Sequence, residues 1–352
     1  MIKDSNSPHI PVLLNEVLET FNRILNSKNP NFLGDKVIES NNQFPLIIDC
    51  TLGYGGHSRK LLQSYPRLKI IGIDRDLDSI KYNENLCDEF NDRIYIVKGA
   101  FGEMLPLILN EFLRPKSSNI SNIIESSFLE NVKLVGILAD IGVSSLQFDN
   151  INRGFSFNSI ALDMRMDVSQ NLSANEILNT YNRLELEKIF SEYGEIKEYK
   201  KLVNLILLER ENLRKNSKNP NFSSEILHAI ALKLNHKKSI HPLTLIYQAL
   251  RIAVNDELGE LKRLLKACEN LANCLLCVIS FHSLEDRIIK ETFKIWAKNC
   301  VCDENVMKCE CGNNHAKGQI LYKKPLVASA SEIKSNPRSR SAKLRAFYFF
   351  KD

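Results

Sequence analysis

The sequence predicts an α/β fold, a mostly parallel sheet flanked by helices, with an all-helical segment inserted into it. Three observations predict this. Apolar runs of strand length alternate with helical runs between residues 46 and 140, the pattern of parallel βαβ units. From about 168 to 241 the alternation stops and only helical periods remain. A further apolar strand and two terminal strand-like runs then follow, the last two suited to pair with each other.

The elements follow in order. VLLNEVLETFNRIL (12–25) places Leu14, Val17, Leu18, Phe21 and Leu25 on one helical face. Residues 26–45 are polar and read as a loop. LIID (46–49), LKIIGID (68–74), RIYIVKG (93–99) and KLVGILAD (133–140) read as strands. RKLLQSY (59–65) and DSIKYNENLCDEF (78–90) read as the helices between them, and 114–131 as a polar insertion. SANEILNTYNRLELEKIFSEYG, IKEYKKLVNLILLERENL and SSEILHAIALKL build the helical segment. Residues 245–268 read as one long helix and CLLCVISF (274–281) as a fifth strand. GQILYKKPLV and AKLRAFYFF close the sheet. The heptapeptide NSKNPNF occurs at 26–32 and 216–222, both times in loop-like surroundings, so no repeat architecture follows.

The 352 residues exceed one small core, which suggests two domains or one domain with a large insertion. Hydrophobic content of 44% with 25% charged residues is that of a folded soluble chain. A net charge of +5 permits a nucleic-acid partner without demanding one. The amino-terminal segment lacks the pattern of a signal peptide, and no apolar stretch approaches a membrane span. Nine cysteines, several in core-like runs, argue against a disulfide framework and for a reducing cytoplasm.

In LIIDCTLGYGGHS (46–58) a strand ends in Asp49 and runs through Gly53, Gly55 and Gly56 into a helix. Glycine is required where a Cβ would block a ligand or where a tight turn needs positive φ. Asp74 closes the second strand, placed to accept hydrogen bonds from ribose hydroxyls. Nucleoside binding at the carboxyl edge of the sheet follows. The G-x-G-x-x-G of a dinucleotide site lacks its last glycine here, and His57-Ser58-Arg59 is not the end of a P-loop. S-adenosylmethionine carries no phosphate and needs only a permissive turn, a ribose acid and polar groups for its amino-acid end. A sharp turn with no ligand is the plain alternative.

After the fourth strand comes LADIGVSSLQFDNINRGFSFNSIALDMRMD (138–167), too polar for a mere connector. This segment resembles the signature of the bacterial 16S ribosomal RNA cytosine-N4 methyltransferases, the RsmH or MraW family. HIPVLLNEVL (9–18), DCTLGYGGHS (49–58), IGIDRD (71–76), QALRIAVNDEL (248–258), SFHSLEDR (280–287) and NPRSRSAKLR (336–345) match it in order over almost the whole chain. Cys50 stands where this family often has Gly.

The resemblance implies a class I S-adenosylmethionine-dependent fold with an inserted helical subdomain. It implies methylation of the exocyclic amine of a cytidine in the decoding region of small-subunit RNA. The domains would be 1–167 (cofactor binding), 168–241 (helical insertion, an expected RNA surface) and 242–352 (the remainder, with a basic carboxyl-terminal segment). The implied cofactor contacts are Gly55, Gly56, His57, Asp74, Phe101, Asp140 and Gln147. His57 can alternatively cap its helix, and Phe101 can be a core aromatic. The expected partner is 16S ribosomal RNA, within the small subunit, with the protein a monomer or homodimer in the cytoplasm and no membrane involved.

Cytosine N4 is a poor nucleophile because its lone pair is delocalised. Alignment with the sulfonium methyl is therefore the main task, helped by an acceptor for the departing proton. Asp140-Ile141-Gly142-Val143 is not the Asp/Asn/Ser-Pro-Pro-aromatic motif of many amino-methyltransferases, so that motif does not supply the acceptor. Asp140, Asp163 and His282 are the candidates. Asp140 can instead serve the cofactor, Asp163 can pair with Arg165 or Arg153, and His282 can orient neighbours such as Asp286. No cysteine follows a proline, which argues against carbon-5 chemistry. The target base must leave its stack, and Phe155 and Phe157 can stack on it or pack the loop.

Arg153 and Arg165 in the signature segment, and Arg338, Arg340, Lys343 and Arg345 near the end, are candidate RNA contacts. Lys197, Lys200, Lys201 and Arg214 suit either RNA or an ordinary wet helix face. Cys300, Cys302, Cys309 and Cys311 form two C-x-C pairs that can hold zinc. Methyl transfer needs no metal, so a loop of free thiols is the other reading. A methyltransferase acting on DNA or protein, and a non-catalytic assembly factor with a cofactor pocket, are the competing functions.

Overall fold

A computed structural model describes residues 10–26, 43–113, 123–159, 161–216, 221–235, 241–303 and 308–350. Most of the polar stretch 26–45, half of 114–131 and parts of both heptapeptide copies lie outside them. Two compact units form: Met1–Gly142 with Gly259–Asp352, and Val143–Leu258.

The first unit holds the sheet. Its strands are β1 (Phe44–Asp49), β2 (Lys69–Asp74), β3 (Ile94–Lys98), β4 (Val132–Asp140), β5 (Leu275–Ser280), β6 (Gly318–Ile320), β7 (Leu326–Val327) and β8 (Lys343–Phe349). They run in the order β3-β2-β1-β4-β5-β8-β6, with β7 also on β8. The first five are mutually parallel. β8 is antiparallel to β5, β6 and β7. This is the expected mostly parallel class I sheet with its antiparallel terminal strands. GQILYKKPLV gives two short strands rather than one, both paired with β8.

Side chains alternate across the sheet, and both faces are apolar because helices cover both. Ile48, Ile71, Ile137 and Val278 enter one core, and Ile47, Ile70, Leu138 and Ile279 the other. Helix Leu14–Leu25 supplies Val17 and Phe21 to the second core. The chain leaves β1 for β2 on one side, and β4 lies on the other. The crevice beyond the strand ends at such a reversal is where ligands of open α/β sheets bind. Asp49 pairs in register with Leu138, so Asp140 projects two residues further along the neighbouring strand.

Two stretches expected as single helices are broken. Residues 78–90 form Leu77–Tyr82 and Glu84–Phe90, interrupted at Asn83. Residues 245–268 form Pro242–Asn255 and Glu257–Cys268, with Asp256 between them at φ 49°. Helix Phe101–Leu113 is an addition to the elements read from the sequence.

The second unit consists of helices among its described residues. Arg183–Lys188, Tyr199–Asn216, Ser224–Leu232 and Pro242–Asn255 pack around Leu186, Phe190, Ile206, Leu227 and Leu250. The unit extends beyond 168–241 on both sides because the same core buries Phe155, Leu162 and Met164 before it and Leu243 and Ile246 after it. No helix among the described residues is long and apolar enough to cross a membrane.

Candidate active site

The glycine turn follows β1 and leads into helix Gly56–Ser64. Gly53 and Gly55 both adopt positive φ, 52° and 68°. The Gly53 N–H donates to Asp74 Oδ2 at 2.8 Å, and the Asp76 N–H donates to Asp74 Oδ1 at 2.8 Å. Asn83 Nδ2 donates to the Gly53 carbonyl at 2.7 Å and to that of Ser79 at 2.7 Å. The helix break at Asn83 thus lies where its side chain reaches the turn. The two implied glycine contacts have packing reasons of their own. A Cβ on Gly55 would lie 2.2 Å from Asn83 Oδ1, and one on Gly56 would lie 2.4 Å from Pro11 Cγ. A Cβ on Gly53 would meet nothing nearer than the Thr51 carbonyl at 3.9 Å. Gly53 is the turn position whose side faces open space.

Three strand-terminal acids converge around this turn. Asp49 is buried, accepts from Ser58 Oγ at 2.6 Å and from the Thr51 N–H at 3.2 Å. Burial raises its carboxyl to about 6 against those hydrogen bonds. Burial raises Asp74 to about 6 as well, opposed by the N–H groups of Asp76 and Gly53. Asp140 is raised furthest, to about 8, first by burial and then by the charges of Asp49 and Glu285. Its N–H donates to Thr51 Oγ1 at 2.7 Å, which ties β4 to the turn. The Asp140 side chain is 22% exposed, yet its Oδ1 is buried without a hydrogen-bond partner. A buried carboxylate oxygen of this kind calls for a donor or a cation.

His57 is buried, with Nε2 2.9 Å from the Val12 carbonyl. A carbonyl only accepts, so Nε2 carries the hydrogen and Nδ1 the lone pair. Nδ1 lies 3.9 Å from Asp140 Oδ2. Burial lowers His57 to about 4, so the ring is neutral at pH 7. It braces the turn against the amino-terminal segment, and Gly55, not His57, precedes the helix as its cap. Phe101 opens helix Phe101–Leu113 and packs in part against the sheet core. Next to it the Gly102 N–H donates to Glu260 Oε2 at 2.7 Å. Glu260 is buried and also faces Arg75 at 3.5 Å and Arg263 at 2.5 Å.

The turn, its acids and an unanswered buried oxygen fit S-adenosylmethionine, which carries a sulfonium, an ammonium and ribose hydroxyls. Gly53, Asp74, Asp140 and His57 meet around the turn and could hold it. Asp49, Asn83, Glu260 and Glu285 support them and were not singled out by the sequence reading. Only Asp49 had a signal there, as the acid closing the strand before the glycines.

In the second unit, Gln147 is buried in the short helix Ser145–Asp149, and its Oε1 accepts the Ser144 N–H at 3.1 Å. Asp163 and Arg165 form a bidentate pair, with Nε–Oδ1 and Nη2–Oδ2 both 2.7 Å. Burial raises the Asp163 carboxyl, but the Arg165 hydrogen bonds outweigh it and hold it below the usual range. Arg165 also donates to the carbonyls of Val168 and Gln170. Arg153 is buried and donates to the carbonyls of Arg165 and Met166. Asp163 is therefore a structural anion rather than a proton acceptor, and both arginines are turned to the protein rather than to RNA. Replacing Asp163 by Ala is expected to cost the fold about 2 kcal/mol, the worth of hydrogen bonds to a charged group. A calorimetric melt reads it. Phe155 is 5% exposed, inside the helical core, which removes it as a platform for a base. Phe157 is 48% exposed, with its ring edge-on to Tyr247 at 4.8 Å.

His282 caps helix Ser283–Trp296. Its Nδ1 accepts the Glu285 N–H at 3.4 Å, while Glu285 Oε2 accepts the N–H groups of Phe281 and His282. Its Nε2 lies 3.0 Å from Glu285 Oε1. The Nδ1 bond holds the imidazole to its own helix, while Nε2 and Glu285 Oε1 are buried without a hydrogen-bond partner. Asp286 takes both Lys343 Nζ at 3.1 Å and Arg345 Nε at 2.6 Å. Lys343 and Arg345 are thus paired within the sheet, whereas Arg338 and Arg340 are exposed on the short 3₁₀ turn Pro337–Ser341. Cys300, Cys302, Cys309 and Cys311 are brought together.

The family model described as the MraW methylase family matches residues 6–349. The curated protein "Ribosomal RNA small subunit methyltransferase H" of Wolinella succinogenes is 46% identical over 343 residues, 97% of this chain and 99% of that one. Its namesakes in Aliarcobacter butzleri and Campylobacter jejuni are 44% identical over 344 residues and 46% over 346, each covering 97% of this chain and 99% and 97% of their own.

Proposed function

We propose, from the premise that this chain belongs to the MraW methylase family, that it methylates small-subunit ribosomal RNA at the exocyclic N4 amine of a cytidine in the decoding region. The names of its relatives support the small-subunit RNA. The likeness of residues 138–167 to the cytosine-N4 enzymes supports the amine. The observation that carries the reading is Asp140 Oδ1, buried and unpartnered at the end of β4, beside the glycine turn.

S-adenosylmethionine, when bound, supplies a methyl carbon already activated by its sulfonium charge. The protein's own part is positioning and proton handling. The turn at Gly53, fixed by Asp74 and Asn83, seats the nucleoside. Fixed alignment can remove roughly 7–11 kcal/mol of the barrier at best. As the nitrogen–carbon bond forms, one amine hydrogen must leave, and Asp140 Oδ1 accepts it. Of the three candidate acceptors, Asp163 is held by Arg165 and His282 by its helix. Carbon-5 chemistry needs a thiolate nucleophile, but Cys50, beside Asp49, is buried with its thiol pushed well above the usual range by burial.

The test is to incubate the protein with labelled S-adenosylmethionine and small subunits that lack the modification, then hydrolyse the RNA. Label in N4-methylcytidine is expected. Label in 5-methylcytidine, in protein or in added DNA would reject the proposal. Arg338→Ala with Arg340→Ala should weaken RNA binding and reduce its salt slope by roughly 0.7–0.9 for each phosphate no longer neutralised. An unchanged slope would remove the 3₁₀ turn from the RNA face.

A further inference from the structure

We propose that Cys300, Cys302, Cys309 and Cys311 form a structural zinc site of four thiolates. The sulfurs of all four lie within 4.8 Å of one another. Cys300–Cys309 and Cys309–Cys311 are 3.6 Å apart, and Cys300–Cys311 is 3.8 Å. Zinc–sulfur bonds of about 2.3 Å in a tetrahedron give edges of about 3.8 Å. A disulfide would bring two sulfurs to about 2.05 Å, and none of these pairs has done so.

The backbone is set for anionic sulfur. The Val301 N–H donates to Cys311 Sγ at 3.4 Å, and the Glu310 N–H donates to Cys302 Sγ at 3.3 Å. The cluster of ligand atoms consists of the four sulfurs without His315, whose Nε2 donates to the Cys311 carbonyl at 2.7 Å. His315 braces the site from outside, in the way outer-shell groups do.

Beyond the cluster, the described part of the segment is tied near its ends, by the His315 N–H on the Asn299 carbonyl at 3.0 Å and the Lys317 N–H on the Trp296 carbonyl at 2.8 Å. It runs from the end of helix Ser283–Trp296 to β6, and among its described residues from 297 to 317 none is buried. Val301 is 58% exposed. Small folds without a core rely on a disulfide or a structural metal. Four sulfur ligands leave no open coordination position, so the ion is a staple and takes no part in chemistry.

The full-length chain, grown in zinc-replete medium and purified under reducing conditions, should carry one zinc per chain by elemental analysis. Cys309→Ser combined with Cys311→Ser should reduce that to below about one tenth. Cobalt titration of the chelated native protein covers the case in which the variant fails to fold. Sulfur-to-cobalt charge-transfer bands and tetrahedral ligand-field bands are expected, and zinc should bleach them. A native chain that holds no zinc and gives no such bands would overturn the site. So would recovery of the four cysteines as disulfides from the reduced preparation.

Discussion

Asp140→Asn is expected to lower methyl transfer by roughly 10²–10⁴-fold, the range of a positioned proton acceptor, while the fold survives. Asparagine preserves the shape and removes the charge. The same exchange should weaken binding of the cationic donor by about 1.5–3 kcal/mol, the worth of a charged hydrogen bond. The pH dependence separates the two effects. Without ligand the carboxyl titrates near 8, chiefly because it is buried and then because Asp49 and Glu285 lie close. A cation bound beside it favours the ionised form. Below pH 8, donor binding must therefore release a proton, and affinity should rise with pH before levelling near 8. Calorimetry in buffers of different ionisation heat counts that proton. The asparagine variant should release fewer.

The same group sets the sign of the stability profile. An acid raised from 3.8 to about 8 on folding keeps a proton that the unfolded chain gives up, so unliganded stability falls as pH rises between those values. His57 acts oppositely: lowered from 6.5 to about 4, it loses stability as pH drops through that interval. Between 6.5 and 8 His57 is neutral in both states, and the slope there belongs mainly to Asp140. Asp140→Asn should flatten it in thermal melts. A slope unchanged by the variant would show that this carboxyl is ionised in the free protein.

How much of this was legible in the sequence depends on how locally each feature is encoded. Strand ends are local: an apolar run stops at an acid, and Asp74 and Asp140 could be placed at the sheet edge from that alone. The glycine turn is local too. What the sequence does not encode locally is direction and distant pairing. Arg153 and Arg165 look like phosphate contacts by type, yet both turn inward to carbonyls of their own loop. Phe155 and Phe157 differ by two positions in an irregular segment, where no period decides which is buried. Glu260 meets the Gly102 N–H from far along the chain. The breaks at Asn83 and Asp256 fall inside unbroken helical patterns, and the first becomes intelligible only once the Asn83 amide is seen bridging Gly53 and Ser79.

The turn gives the second large effect, through two alanine substitutions expected to fail in different ways. In Gly55→Ala the new methyl would lie 2.2 Å from Asn83 Oδ1 and 3.0 Å from Leu86 Cδ2, on a residue at φ +68°. Asn83 cannot simply withdraw, because its amide group holds the Gly53 carbonyl. Overpacking of about 1–3 kcal/mol and a left-handed penalty of about 1–2 kcal/mol both apply. The melting temperature should drop by several degrees, and donor binding should go with it. In Gly53→Ala only the left-handed penalty applies, since the methyl enters open space and the N–H to Asp74 is retained. Stability should fall by about 1–2 kcal/mol, while donor affinity falls more than tenfold because the methyl occupies the ligand's side of the turn. Isothermal titration beside a melting curve distinguishes the pair. If Gly53→Ala binds S-adenosylmethionine as tightly as the parent, the open face of the turn is not the cofactor seat.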